Sequence, residues 1–395
     1  MVINSFLVEF LYNAAHIQRW NDHIRPNGFT ELDKQSHKMI IAYLLGKAEE
    51  HKNVNVNWTI LIEGGIFEFL HRVLLTDIKP PIFRKIMQVK GKEVNEWVVK
   101  QFAKKIEKKV LDKFKKYFLE PQSYLLEKKI LKAAHYLATR WEFNIIYHLN
   151  PNIFDINEIR VSLENEFKDY YDLAGIQNLV MFQNFIDLVG QLRFQQRWAQ
   201  TPRVPETSVM GHTLIVAILT YFSTISLNVE PCDKRIYNNF FGGLFHDLPE
   251  VLTRDIVRPV KTSTEDLEEL IKEIENTEVN EKLLPLLPDS WHDEIKYFIE
   301  DEFTNKIMLN NLIKSDISID EININYNKDN FSPIDGKLIQ ICDDLAAYLE
   351  ACLSIFHGIT SHHLKRAKDA YYKNYKNKII AGINFGELIQ YFYDL

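Results

Sequence analysis

The chain repeats itself. Gln18-Arg19-Trp20 returns as Gln196-Arg197-Trp198, and the run from Ser36-His37-Lys38 to Ala42 returns as Gly211-His212-Thr213 to Ala217. The stretch from Gly65 to Ile78 aligns without a gap on Gly243 to Ile256, with seven of fourteen positions identical. A fourth block, Lys132 to Ala138, matches Gln340 to Ala346 more loosely, and the four blocks keep their order in both halves. Repetition on this scale restricts the fold to two copies of one unit. The expected domains are therefore 1–165 and 175–395, and 395 residues suffice for two cores. The join is expected near Asn150-Pro151-Asn152 or in the polar run from Asn157 to Asp172. Residues 261–334, broken by Leu284-Pro285-Leu286-Leu287-Pro288, read as an insert in the second copy.

Each copy reads as helical. Apolar residues recur at steps of three or four over 5–20, 123–149, 177–198, 207–226 and 335–357. Val98, Phe102, Ile106, Val110, Phe114 and Phe118 suggest one amphipathic helix over 94–119 with a Lys-rich solvated face. Alternation at Asn53–Asn57 and Ile322–Tyr326 is read as loop or a small hairpin, and Asn323–Asn330 as a surface loop. The fold class is thus all-α, two tandem helical bundles. A net charge of −7 without a long basic run argues against nucleic acid as a partner. Cys232, Cys342 and Cys352 lack metal-ligand spacing and suit a reducing cytoplasm. No apolar run is long enough for a membrane span, and the N-terminal residues make a poor signal peptide.

Chemistry concentrates in the second copy. His246 and Asp247 stand side by side between Phe240, Phe241, Leu244, Phe245 and Leu248, Val251, Leu252. Polar pairs in such surroundings must be satisfied or bind a cation. His212 and Asp343, on apolar helical stripes before and after, complete a set of two imidazoles and two carboxylates. Facing helices commonly build such sites, and this donor set suits Mn, Co, Fe, Zn or Mg with open positions for water and substrate. Glu250, three residues after Asp247, falls on nearly the same helical face and is left for acid–base work. Pro249 is expected to break the helix beside Asp247 and to start the next one.

Together, Arg197-Trp198, Glu206 to His212, Phe245 to Asp255, Arg258-Pro259-Val260-Lys261 and Cys342 to Tyr348 resemble the HD-domain phosphohydrolases, most closely their 5′-deoxyribonucleotidase branch. The resemblance implies a divalent metal on His212, His246, Asp247 and Asp343, proton handling by Glu250 and phosphate binding by Arg197. It further implies a nucleoside pocket lined by Trp198 and Asp255, with Lys261 near the phosphate. The implied reaction is hydrolysis of a small phosphate monoester, foremost a nucleoside or deoxynucleoside 5′-monophosphate. A nucleotide-sensing module with little turnover is the alternative. Where the family has glycine, this chain has Arg254. Asp344 competes with Asp343 for the last ligand position, and the match of Leu345-Ala346-Ala347-Tyr348 favours Asp343. His292-Asp293 repeats the dipeptide but reads as a helix start.

The first copy departs from the pattern. His37 is taken as the counterpart of His212, Glu68-Phe69 of His246-Asp247, Arg72 of Glu250, and His135 of Asp343. Phe69 cannot ligate, so this copy is expected to be degenerate and metal-free. Because the resembled family is often dimeric, the two halves are expected to pair as an intramolecular pseudo-dimer, with further homo-oligomers open.

Overall fold

Most of this chain is helical, and there the backbone hydrogen bonds close within the helices. A computed structural model describes residues 3–256, 260, 263–380 and 382–395. Its contacts divide into two compact units, one running to Gln177 and one from Asn178 to Leu395. The all-α class read from the periodicity is observed: the only strands among the described residues are two short hairpins.

The first unit contains α1 (Ser5–Tyr12), α2 (Glu31–His51), α3 (Trp58–Leu75), α4 (Pro80–Phe102), α5 (Lys108–Leu119), α6 (Leu125–Leu149), α7 (Ile156–Phe167) and α8 (Ala174–Gln177). Helix α2 is buried along almost its whole length and packs on α3 and α6. Thr30 caps it, its hydroxyl accepting the Asp33 amide at 3.2 Å. The single helix expected over 94–119 is two, interrupted at 103–107. An i+4 stripe drifts by about 40° at each step of a 3.6-residue helix. An unbroken helix would therefore carry Phe118 away from the face of Val98. The interruption resets the face, and Val98, Phe102, Val110 and Phe114 are all buried.

The second unit contains α9 (Leu179–Gly190), α10 (Val209–Thr224), α11 (Asp233–Phe245), α12 (Glu250–Thr253), α13 (Leu267–Glu278), α14 (Asp289–Ile299), α15 (Gly336–Phe356), α16 (His362–Tyr375) and α17 (Gly386–Asp394). Helix α10 is wholly buried between α11 and α15. Gly243 permits the close crossing: a Cβ there would lie 3.0 Å from Ala217 Cα and 3.2 Å from Ala217 N. The start of α11 is tied to the start of α15 by a fully buried fork. Arg235 Nε and Nη2 each donate at 2.7 Å to the two oxygens of Asp335. Asn239 adds a further bond to the same carboxylate at 2.7 Å. A buried pair of this kind persists only with such complete hydrogen bonding.

The insert corrects two local expectations. Its strands are β1 (Lys306–Leu309) and β2 (Leu312–Ser315), joined through Asn310 and Asn311, both with positive φ. That is the backbone of a tight hairpin turn, which asparagine tolerates. The alternating Ile322–Tyr326 forms a wide helical turn instead, because Ile322 packs into a small core with Ile307 and Ile317. Nor is 323–330 simply surface loop. Asn323 Oδ1 accepts from Arg235 at 2.8 Å, and Asn327 Oδ1 accepts the Cys232 amide at 3.1 Å.

The repeat is visible in the backbone of each unit. Gln18 bridges Thr30 just as Gln196 bridges Ser208. Ser208 caps α10, its hydroxyl accepting the Gly211 amide, as Thr30 caps α2. The fourth residue past each cap is His212 in α10 and Lys34 in α2. The counterpart of His212 is therefore Lys34, and the assignment of His37 is corrected. His37 lies one turn further along, with its ring edge-on to Trp141 at 5.3 Å.

Candidate metal centre

Three helices and one break assemble the site. Helix α10 supplies His212 and α15 supplies Asp343. Helix α11 stops after Phe245, the chain turns through His246 and Asp247, and α12 starts at Glu250 directly after Pro249. The break expected from Pro249 is present, and it frees both side chains from a single helical face.

His212 Nε2 lies 2.8 Å from Asp343 Oδ1 and 3.9 Å from Asp247 Oδ2. His246 Nε2 lies 3.2 Å from Asp247 Oδ2 and 3.9 Å from Asp343 Oδ1. His212, His246 and Asp247 each offer a ligand atom within 4.8 Å of the others. With metal–ligand bonds of about 2.1 Å, neighbouring donors on a coordination shell sit about 3–4 Å apart, which is the spacing here.

The tautomers also fit. A carbonyl only accepts, so His246 Nδ1 donates to Gly243 O at 2.8 Å, leaving a lone pair on Nε2 turned towards the carboxylates. That Nε2 is buried and has no hydrogen-bond partner. Electrostatics point the same way. Burial opposes an imidazolium at His246, but Asp247 and Asp343 outweigh it and push its pKa up to about 9. Burial likewise opposes the Asp247 carboxylate, yet His246, His212 and Arg197 hold it below the usual range, and Asp343 is lowered by His212 in the same way. The pocket draws positive charge to itself, as a cation site must.

Arg197 flanks this cluster, with Nη1 3.5 Å from Asp247 Oδ2 and Nε 3.5 Å from Glu350 Oε2. Its side chain is mostly buried. Burial disfavours its charge, but Glu350, Asp343, Asp247 and Asp255 more than restore it. Asp255 thus belongs to the same electrostatic neighbourhood. Glu250 is buried, and its amide donates to the Asp247 carbonyl at 3.1 Å. Trp198 has φ 58°, a rare conformation for a bulky residue, and its Nε1 donates to Glu350 Oε2 at 2.8 Å. Arg254 is exposed at φ 67°, in the region where glycine is at home, and this explains why the resembled family places glycine there. Asp344 is turned away and accepts a hydrogen bond from Tyr375. His292 lies on α14 with Nε2 3.1 Å from the Leu287 carbonyl oxygen. Lys261 and Arg258 fall outside the described residues.

Glu350 escaped the reading of the sequence. It is fully buried and accepts from Trp198 and from Thr207 Oγ1 at 2.5 Å, and Arg203 Nη1 stands 3.6 Å away. Burial raises its pKa, but Arg203, Arg197 and His212 overcome that and hold it at about 2. The signal was available. Glu142 occupies the same place in the first copy, where it accepts from Arg19 Nε at 2.8 Å and Trp20 Nε1 at 2.9 Å. Extending the loose fourth block by four residues, without a gap, pairs Glu142 with Glu350.

Residues 189–371 match the family model described as an HD domain. The chain is 27% identical over 125 residues to a 5′-deoxynucleotidase of Vibrio atlanticus, covering 31% of this chain and 63% of that protein. It is 26% identical over 134 residues to one of Vibrio vulnificus, and 26% identical over 129 residues to one of Photobacterium profundum, with the same 31% and 63% coverage. The chain thus spans about 63% of the length of these curated relatives. No solved structure matches it significantly. Among the described residues, no helix is long and apolar enough to cross a membrane. The stretch that contains all four clustered side chains thus matches the HD-domain family and is similar to part of these 5′-deoxynucleotidases.

Proposed function

We propose that the second unit, expected over 175–395 and compact from Asn178, is a divalent-metal-dependent phosphohydrolase that removes phosphate from a nucleoside or deoxynucleoside 5′-monophosphate. The observation that carries this is the meeting of His212, His246, Asp247 and Asp343 at 2.8–3.9 Å, with a guanidinium 3.5 Å from Asp247. The names of the relatives support the nucleotide class. A bound divalent cation would supply an acidified water and a Lewis-acid contact for a phosphoryl oxygen.

The chain's residues do the rest. Arg197, fixed by Glu350, offers a permanent positive charge to the phosphoryl oxygens and offsets the charge that builds as water adds to phosphorus. The bond from phosphorus to O5′ breaks. Glu250 takes the proton that the water loses and returns it to the leaving oxygen. Trp198, locked by its indole hydrogen bond, and Asp255 line the nucleoside side. Lys261 is proposed to assist at the phosphate. We read 1–165 as a degenerate copy that keeps the Arg-Trp-Glu arrangement and has lost the ligands.

Phosphate release is measured over nucleoside and deoxynucleoside 5′-monophosphates with added Mn, Co, Mg, Fe or Zn. Release with at least one metal is expected, and Asp247→Ala should lose both turnover and bound metal by elemental analysis. Turnover retained in that variant refutes the mechanism. Absent release with every metal, together with ligand-induced thermal shifts, makes the protein a sensor.

A further inference from the structure

The first unit holds a cavity of about 410 Å³ on the faces of α2, α3 and α6, the helices whose counterparts α10, α11 and α15 carry or lead into the four clustered side chains of the second unit. In the frame fixed by the two caps and by the aligned third and fourth blocks, His212, His246, Asp247, Asp343 and Glu250 are replaced here by Lys34, Glu68, Phe69, His135 and Arg72. Two ligand carboxylates have become a phenyl ring and an imidazole. An imidazole has become an ammonium, and the acid–base carboxylate has become a guanidinium. The other imidazole has become the Glu68 carboxylate, so the five positions now hold two cationic side chains and one carboxylate where the second unit has three carboxylates and no Lys or Arg.

The geometry bears this out. Lys34 and Lys38 are fully buried. Lys34 Nζ lies against the His135 ring, 2.8 Å from Nε2, so the ammonium stands where His212 meets Asp343 in the other unit. Lys38 Nζ is 2.5 Å from Glu68 Oε2, and Arg72 Nε is 3.6 Å from Glu31 Oε2. Arg19, Lys38, Arg72, Arg84 and Lys132 line the cavity, against only Glu68 and Glu166 among the acids. Burial depresses the pKa of Lys34, and neighbouring Arg19 depresses it further. An anion in the cavity would offset that cost. Phe83, Tyr136 and Tyr170 line it as well and offer aromatic surface for a planar group. The volume falls within the usual range of small-molecule sites, about 300–1,000 Å³.

We propose that this cavity binds a nucleotide-sized phosphate monoester directly on protein cations, without metal and without hydrolysing it. Phe69 gives no ligand, and Arg72 cannot exchange a proton near neutrality.

The test uses the full chain with Asp247→Ala, in EDTA, titrated calorimetrically with deoxyadenosine monophosphate. About one equivalent per chain is expected to bind, and inorganic phosphate should displace it. Lys132→Glu, an exposed change that leaves the core alone, should weaken binding about tenfold or more, and Arg72→Ala should do likewise. Arg197→Ala should leave it unchanged. No binding at millimolar nucleotide in EDTA overturns the proposal, as does binding lost with Arg197→Ala and indifferent to Lys132→Glu. Since the readout needs neither metal nor turnover, it stands apart from the activity proposed for the second unit.

Discussion

Replacing Glu350 with glutamine keeps its shape and removes one buried negative charge. The amide oxygen can still accept from Trp198 or Thr207, but Arg197 and Arg203 lose a counter-charge at 3.5 and 3.6 Å. The cost follows from the carboxyl itself. Its pKa falls from an ordinary 4.5 to about 2. At roughly 1.4 kcal/mol per pH unit, neutralising it destabilises the folded unit by about 3 kcal/mol. Removal of one partner from a buried ion pair costs a similar amount, about 3–5 kcal/mol. The sign is fixed by the direction of the shift. A carboxyl depressed in the folded state stabilises it above the unfolded pKa, and the contribution disappears as pH falls from 4.5 towards 2. Hydrogen exchange of the Val209–Thr224 helix under increasing urea reads this unit alone. At pH 7 the variant should open about 3 kcal/mol more readily. The gap between variant and native chain should close in acid. A variant within about 1 kcal/mol of native at pH 7, or a gap independent of pH, would show that Glu350 does not brace the two guanidinium groups.

Three further substitutions separate chemistry from framework. Glu250→Gln should lower kcat by about 10²–10⁴ with metal content unchanged, which elemental analysis beside a phosphate-release assay checks. Arg254→Gly relieves the positive φ and should stabilise the chain by about 1 kcal/mol, raising Tm by about 2–4 °C. Gly243→Ala places a methyl group against the Ala217 backbone. It should cost about 1–3 kcal/mol by denaturant titration and weaken metal uptake, because the proposed ligands lie on α10 (His212) and in the turn that follows α11 (His246 and Asp247).

Much of the fold and of the candidate site is legible in the sequence. Helical periodicity is written in residue spacing, and the order of His212, His246-Asp247 and Asp343 on apolar stripes placed them on facing helices. What escaped were features set by contacts distant in sequence. The interruption in 94–119 arises because a straight helix would turn its apolar stripe away from the core, which spacing alone does not reveal. The hairpin at Asn310-Asn311 has only two residues of local signal. Glu350 reads as an ordinary helical glutamate until Trp198, Thr207 and two arginines are folded around it. The His37 assignment failed for another reason: local similarity of apolar neighbours outweighed the helix register that the capping residues fix.

The brace of Arg, Trp and Glu stands in both units, with Trp20 at φ 55° and Trp198 at φ 58°, while the cluster of His212, His246, Asp247 and Asp343 stands in one. Each molecule therefore carries its own experimental control. Substituting Glu142 reports what the brace does for folding away from the His-Asp cluster, and substituting Glu350 reports the same plus whatever it does beside that cluster. The difference between the two, measured within a single polypeptide, isolates the share that belongs to the proposed reaction.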